Sequence, residues 1–212
     1  MFVSAYFFQI NHYHIRNNSI NQMEILNSHQ VIQNCIKSTE SNIERAVKTF
    51  SLLTENQLNW KFHPRSWSVG ECLSHLVNSN SLYLDKIENI INSSPTGSEK
   101  DFAYKQRFLG KLIAKGVDPS DLKKAKTFKV FFPDKSEVQK NIIDNYVKSS
   151  ETLIELVGKM QHLDLKKIKL SSPINILIRL NLGDPLIIIP KHDERHLNQA
   201  ERVKNHKEFP QN

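Results

Sequence analysis

The sequence Trp-Ser-Val-Gly-Glu-Cys-Leu-Ser-His-Leu at residues 67–76 marks a sharp helix start. Ser68 is followed three residues later by Glu71, which is the spacing of a capping box. In that motif the serine hydroxyl accepts from the N3 amide, and the glutamate carboxylate accepts from the cap amide. A helix is therefore predicted to begin after Ser68 and to run to about Asn92, with His75 two turns from its start.

Three more amphipathic helices are indicated by apolar residues that return every three or four positions. They span about 23–53, 136–162 and 184–204. Ser136 is the expected cap of the second of these. Asp184 gives the last one an acidic cap, with Pro185 at the first helical position, where a missing amide is harmless. Each of these helices should bury one apolar face against the others.

Strand signals are weak, because Leu170 and the stretch 174–180 are too isolated to build a sheet. Four amphipathic helices, with a long crossover at 93–134 between the second and the third, predict an all-α four-helix bundle. A chain of 212 residues fits one domain. We predict a mobile N-terminal extension, the bundle domain and a C-terminal tail at 1–22, 23–207 and 208–212.

Composition excludes several classes of protein. Hydrophobic residues make up 39% of the chain and charged ones 24%, as in ordinary globular domains. The net charge is +7, but the basic residues are dispersed, so no nucleic-acid partner is expected. The apolar N-terminal run is far short of the ~20 residues of a membrane span, so no membrane partner is expected either. The chain has two cysteines, Cys35 and Cys72, and both are expected to be small core residues. So few cysteines favour a reduced, cytoplasmic compartment over a secreted disulfide framework.

His192 and His196 lie four residues apart, so on a helix they project from one face. Pro190 is expected to bend the axis just before them or to mark a helix restart, and either outcome leaves them on one face. With His75 they form a ligand set common for catalytic zinc or nickel. A metal there lowers the pKa of its water from ~15.7 towards ~7 and polarises sulfur, so hydrolysis and thiol transfer are both open. Because only neutral imidazole coordinates, metal should leave below roughly pH 6.

Three polar neighbours of the pair, Glu194, Arg195 and Gln199, either orient the ligands or lie on the solvated side. Histidine pairs four apart also arise without a metal. The alternative function is therefore a non-catalytic binding or dimerisation module in a stress response, with buried hydrogen-bonding histidines. A zincin protease is excluded, because Asp193 stands where that mechanism needs glutamate. Trp67 is expected to pack its loop on the bundle rather than to bind substrate.

Two motifs resemble a known family in combination. Trp-Ser-x-Gly-Glu-x-x-x-His-Leu at 67–76 and His-Asp-x-x-His-x-x-Gln-Ala at 192–200, together with Asn-Leu-Gly-Asp at 181–184, resemble the DinB-like (DinB/YfiT) superfamily. The resemblance extends from about Ile25 to Val203. It implies a four-helix bundle in up-down-down-up order, and frequently a dimer.

The resemblance also implies a divalent metal, held by His75, His192 and His196. Some members of the family look like transferases or isomerases that use low-molecular-weight thiols, and others are called metal-dependent hydrolases. We therefore expect a metal-dependent hydrolase or thiol transferase that acts on a small molecule, with zinc or nickel, as a homodimer. The connection 93–134 is longer than a compact member needs and is expected to cover or narrow the pocket mouth.

Overall fold

The computed structural model describes residues 26–121, 137–173 and 175–211. The predicted extension 1–22 and the predicted cap Ser136 lie outside them. Within the described residues the chain forms six helices and four short strands, and none of these helices is long and apolar enough to cross a membrane. In chain order the elements are β1 (Leu26–Asn27), α1 (Ser28–Phe50), α2 (Glu55–Asn59), α3 (Val69–Ser93), β2 (Ala103–Tyr104), α4 (Phe108–Gly116), α5 (Ile142–Gly158), β3 (Lys169–Ser171), β4 (Arg179–Asn181) and α6 (Gly183–Lys204). The prediction of an all-α bundle is confirmed.

The predicted capping box starts α3. The Ser68 hydroxyl accepts from the Glu71 amide at 3.1 Å, and the Glu71 carboxylate accepts from the Ser68 amide at 2.8 Å. The other oxygen of that carboxylate lies 2.6 Å from the Lys61 ammonium. The local sequence thus sets both the start of α3 and the position of His75 along it.

Helices α1 and α6 run parallel. The Asn42 side chain donates to the carbonyl of Pro190, and the Lys204 ammonium donates to the carbonyl of Thr49, so later residues of α1 meet later residues of α6. Helix α6 is continuous through Pro190. The alternative of a helix that restarts at this proline is therefore wrong.

Helix α3 runs opposite to α6 and in the same direction as α5. His75 of α3 meets His192, whereas Tyr83, two turns later, lines a cavity with Ile188, which precedes His192 on α6. The residue before α5 that meets the start of α3 is Val138, which lies against Gly70. Both α1 and α3 pack on α5 and on α6. This is the up-down-down-up order that the resemblance implied.

Two helix starts differ from the predictions. Helix α5 begins at Ile142, later than the predicted start. Helix α6 begins at Gly183, and Asp184 does not cap it. The Asp184 carboxylate instead accepts from the Tyr104 hydroxyl at 2.7 Å and from the Asn181 amide at 2.8 Å. One carboxylate oxygen is thus taken by a distant donor, the Tyr104 hydroxyl, and the other by a local amide that precedes the helix.

Short strands form where none was predicted. Strands β3 and β4 pair antiparallel, with Leu170 opposite Leu180, and β1 pairs with β2. Both leucines are buried against the bundle. A two-stranded hairpin can be stabilised by packing against helices, without further strands. Strands β3 and β4 therefore pair although the sequence around them is too short to form a larger sheet.

The C-terminal end of the described chain packs against the loop before α3. The rings of Trp60 and Phe209 meet edge to face, with centroids 5.5 Å apart. The Gln57 side chain donates to the carbonyl of Pro210 at 2.9 Å. This part of the predicted tail 208–212 therefore lies on the bundle.

The apolar core of the described residues forms two clusters, one towards each end of the bundle. Along α6 the first cluster ends at Ile189 and the second begins at Leu197. Along α3 the last buried residue of the second cluster is Leu76, and the first buried residue of the other cluster is Tyr83. The turns between these limits carry buried polar side chains, so a polar layer separates the two apolar clusters.

Candidate metal centre

Three imidazoles meet in the polar layer. His75 projects from α3, and His192 and His196 project one turn apart from α6. One ring nitrogen of each lies within 4.8 Å of those of the other two. The Nε2 atoms of His75 and His192 are 3.1 Å apart, and the three ring centroids are separated by 4.4 to 4.9 Å. The structure brings together the three residues that the sequence singled out.

Burial keeps the rings of His192 and His196 uncharged. His75 is 2% exposed and His196 is 9% exposed. Burial, reinforced by the neighbouring His75, lowers the pKa of His192 to about 3. Burial and the adjacent imidazoles also hold the pKa of His196 well below its ordinary value. At neutral pH both rings therefore keep a lone pair for coordination.

Gln199 orients His196. Its Oε1 atom lies 3.0 Å from Nδ1 of His196, and an amide oxygen can only accept a hydrogen bond. The proton of His196 therefore sits on Nδ1, and the lone pair sits on Nε2. Gln199, one of the three polar neighbours named in the sequence, thus holds a histidine through its side chain.

The other two polar neighbours lie elsewhere. Glu194 is exposed. The Arg195 guanidinium donates to the backbone carbonyls of Asp118 and Asp121, in the connection that follows α4. Lys191 adds an ion pair with Asp118 at 3.1 Å. These contacts fasten the connection to the turn of α6 that carries the histidines.

Trp67 covers the cluster, which the sequence analysis missed. Its ring lies 4.9 Å from that of His75 and is stacked on that of His196 at 5.7 Å, between centroids. The indole packs its loop on the bundle as predicted, but the surface that it packs on is the histidine site. The available signal was its place directly before the cap of the helix that carries His75.

The hydrogen bonds of Asp193 are structural and do not suit it to act as a general base. It is fully buried, and its carboxylate accepts from the Asn80 amide and from the Tyr146 hydroxyl, each at 3.2 Å. Burial raises its pKa to about 7, partly opposed by these two donors. Asp193 thus ties α6 to α3 and α5 immediately beside the first histidine of the pair.

Comparison with known proteins agrees with this architecture. The chain matches the family profile described as the DinB superfamily over residues 38–200. This chain belongs to the DinB superfamily. The matched range begins within α1, ends within α6 and includes both histidine motifs. No curated protein and no solved structure matches the chain.

The DinB superfamily is generally associated with metals, and the donor set of this member fits a divalent ion. Two nitrogens at about 2.0–2.1 Å from one tetrahedral ion lie about 3.3 Å apart, close to the 3.1 Å between Nε2 of His75 and Nε2 of His192. Three neutral nitrogen donors suit a borderline metal and leave a position for a further ligand. The residues present therefore fit such an ion.

Proposed function

We propose that this DinB superfamily member is a metal-dependent enzyme, a hydrolase or a low-molecular-weight-thiol transferase. In this proposal His75, His192 and His196 hold a divalent cation, zinc or nickel. The observation that supports it is the convergence of three imidazole nitrogens, from two helices, within 4.8 Å of one another. A bound cation of this kind supplies Lewis acidity, which lowers the pKa of an adjacent water or thiol.

The protein residues around the cluster prepare it in separate ways. Burial keeps His192 and His196 deprotonated, so they need not lose a proton before they bind a cation. Gln199 selects the His196 tautomer that points Nε2 into the cluster. Trp67 contacts two of the rings, stacked on that of His196 and tilted against that of His75, and it excludes water from that side. Low local polarity strengthens any charge interaction at the site.

Metal analysis of protein purified without a polyhistidine tag tests the ligand set. We expect about one divalent ion per chain in the wild type and almost none in His192→Ala. The matched control is His162→Ala, because that histidine lies after α5, beside Gly97, and outside the cluster. Equal substoichiometric metal in wild type and His192→Ala would contradict the proposal.

Cobalt substitution tests whether a small thiol reaches the bound ion, which a thiol transferase requires. If a thiol is the co-substrate, adding 2-mercaptoethanol to cobalt-loaded protein should change its visible spectrum saturably. A visible spectrum that does not change when the thiol is added, but changes with pH, favours the hydrolase. The homodimer that the resemblance implies stays a prediction, which sedimentation equilibrium checks.

A further inference from the structure

A cavity adjoins the histidine cluster. It has a volume of about 60 Å³, and His192 forms part of its wall. Four aliphatic side chains line it: Ile113, Val117, Ile188 and Ile189. The first two come from α4 and its end, within the long connection, and the other two come from the turn of α6 before His192. The connection thus builds one wall of the space next to the site.

The polar side chains around the cavity are engaged with the protein. The Ser79 hydroxyl donates to the carbonyl of His75 at 2.7 Å, and the Asn80 amide nitrogen donates to Asp193. The Tyr83 hydroxyl pairs with Ser172. Among the described residues that line the cavity, none is Lys, Arg, Asp or Glu. The wall therefore offers aliphatic surface and no charge that would hold an ionic group.

We propose that this cavity binds a short, uncharged aliphatic part of the substrate and presents the adjoining atoms to the histidine cluster. This inference rests on the proposed function, because it assigns the substrate class of the same site. A volume of 60 Å³ accommodates about four or five water-sized groups, which corresponds to a butyl or pentyl chain. A carboxylate or ammonium group on that chain is rejected, because burying an unpaired charge is strongly unfavourable.

Ile113 is the specificity-determining residue of this cavity. It is partly buried, it belongs to the wall that α4 supplies, and it does not belong to the histidine cluster. A larger side chain at this position should fill the space, and a smaller one should lengthen it. The neighbouring Leu112 on the same helix is 57% exposed and does not line the cavity, so it provides a matched control.

Methyl NMR of the full-length, zinc-supplemented protein with labelled isoleucine tests the proposal, with 1-pentanol as the probe. We expect saturable shifts of the methyl signals of Ile113, Ile188 and Ile189. Affinity should rise about fourfold per methylene from propanol to pentanol. 5-Amino-1-pentanol, which carries an ammonium group at the far end of the chain, should bind at least tenfold more weakly. Absence of saturable shifts, or binding of 5-amino-1-pentanol equal to that of 1-pentanol, would overturn the assignment.

Two variants locate the binding. Ile113→Phe should weaken pentanol binding at least tenfold, whereas Leu112→Phe should leave it unchanged. In Ile113→Ala, the alcohol that binds most tightly should have a longer chain than in the wild type. This variant tests the proposal if Ile113→Phe fails to fold. An unchanged chain-length preference in Ile113→Ala would overturn the proposal.

Metal content measured on the same samples keeps the two proposals apart. Pentanol binding with no metal in any sample contradicts the proposed function and leaves the aliphatic cavity standing. Stoichiometric metal without pentanol binding contradicts the substrate class alone.

Discussion

At the scale of single residues, burial lowers the pKa of His192 and His196 and so keeps both imidazoles neutral. A solvent-exposed imidazole is about half protonated near its ordinary pKa, and a protonated ring cannot coordinate a cation. Here the surrounding helices lower the pKa of His192 to about 3. The pH at which this ring protonates therefore lies below the roughly pH 6 expected from the sequence alone.

The lowered histidine pKa values predict a pH-dependent stability in metal-free protein. The unfolded chain binds protons at these positions near the ordinary pKa of about 6.5, whereas the folded chain resists protonation of His192 and His196. As the pH drops below about 6.5, the two histidines should therefore lower the free energy of unfolding, each with a slope approaching about 1.4 kcal/mol per pH unit. Asp193, whose pKa burial raises to about 7, takes up a proton in the folded chain over the same range and offsets up to one such slope. Urea unfolding of chelator-treated protein at pH 7, 6 and 5 measures this slope. A slope in His192→Asn equal to that of the wild type would contradict the prediction.

A second residue-scale prediction concerns Gln199. Replacing it with alanine removes the acceptor that holds Nδ1–H of His196. Groups that orient metal-ligating histidines commonly contribute about 10- to 100-fold in metal affinity, so Gln199→Ala should bind zinc that much more weakly. Competition with a chromophoric chelator measures the affinity. Glu194→Ala, at an exposed position of the same helix, should bind zinc as the wild type does.

At the scale of elements, α4 reaches the bundle through close backbone contacts. A Cβ atom added to Gly110 would lie 2.4 to 2.6 Å from the carboxyl group of Asp184. That carboxyl group accepts from the Tyr104 hydroxyl and from the Arg107 amide. The glycine thus lets α4 approach the first turn of α6, and that approach forms the aliphatic wall beside the histidines.

Two glycines of α4 give a matched pair of variants. Gly110→Ala should lower the free energy of unfolding by about 1–3 kcal/mol, because the added methyl group overpacks a buried contact. Gly116→Ala should raise it by about 0.5–1 kcal/mol, because that position has open space around it and alanine favours a helix. Chemical denaturation of both variants measures the two signs. The same sign in both would contradict the described packing.

At the scale of the whole molecule, a buried carboxylate joins three bundle helices. Asp193 of α6 accepts from Asn80 of α3 and from Tyr146 of α5, in the layer between the two apolar clusters. Burial leaves these groups few alternative partners, so removal of one weakens the remaining contacts. We infer that this network holds α6 in the rotation that presents both histidines to His75.

The network predicts coupled effects on stability. Tyr146→Phe should lower the free energy of unfolding by about 1–2 kcal/mol. Combined with Asn80→Ala, it should depart from additivity by at least about 0.5 kcal/mol, since both donors serve one carboxylate. Tyr104→Phe, whose hydroxyl donates to Asp184 instead, is the control, and its effect should add to that of Tyr146→Phe. Additivity in both pairs would contradict a shared network.

Features carried by neighbouring residues were predictable from the sequence. The Ser68–Glu71 capping box set the start of α3, and apolar periodicity set the end of α6 at Lys204. The four-residue spacing placed His192 and His196 on one face. Each of these features rests on hydrogen bonds or side-chain contacts between residues three or four apart, so contiguous sequence contains the needed information.

Other features were decided only by the tertiary structure. Asp184 was predicted to cap α6, but its carboxylate accepts from the Tyr104 hydroxyl and the Arg107 amide, which are distant in the sequence. Trp67 stacks on His196, and Ile113 lines the cavity beside His192, through contacts between distant parts of the chain. Local patterns do not encode such contacts, because they depend on how amphipathic faces pack once the helices have formed. The order of residues along the chain specifies the three histidines and their spacing, whereas the packing of the helices places Gln199, Trp67 and Ile113 around them.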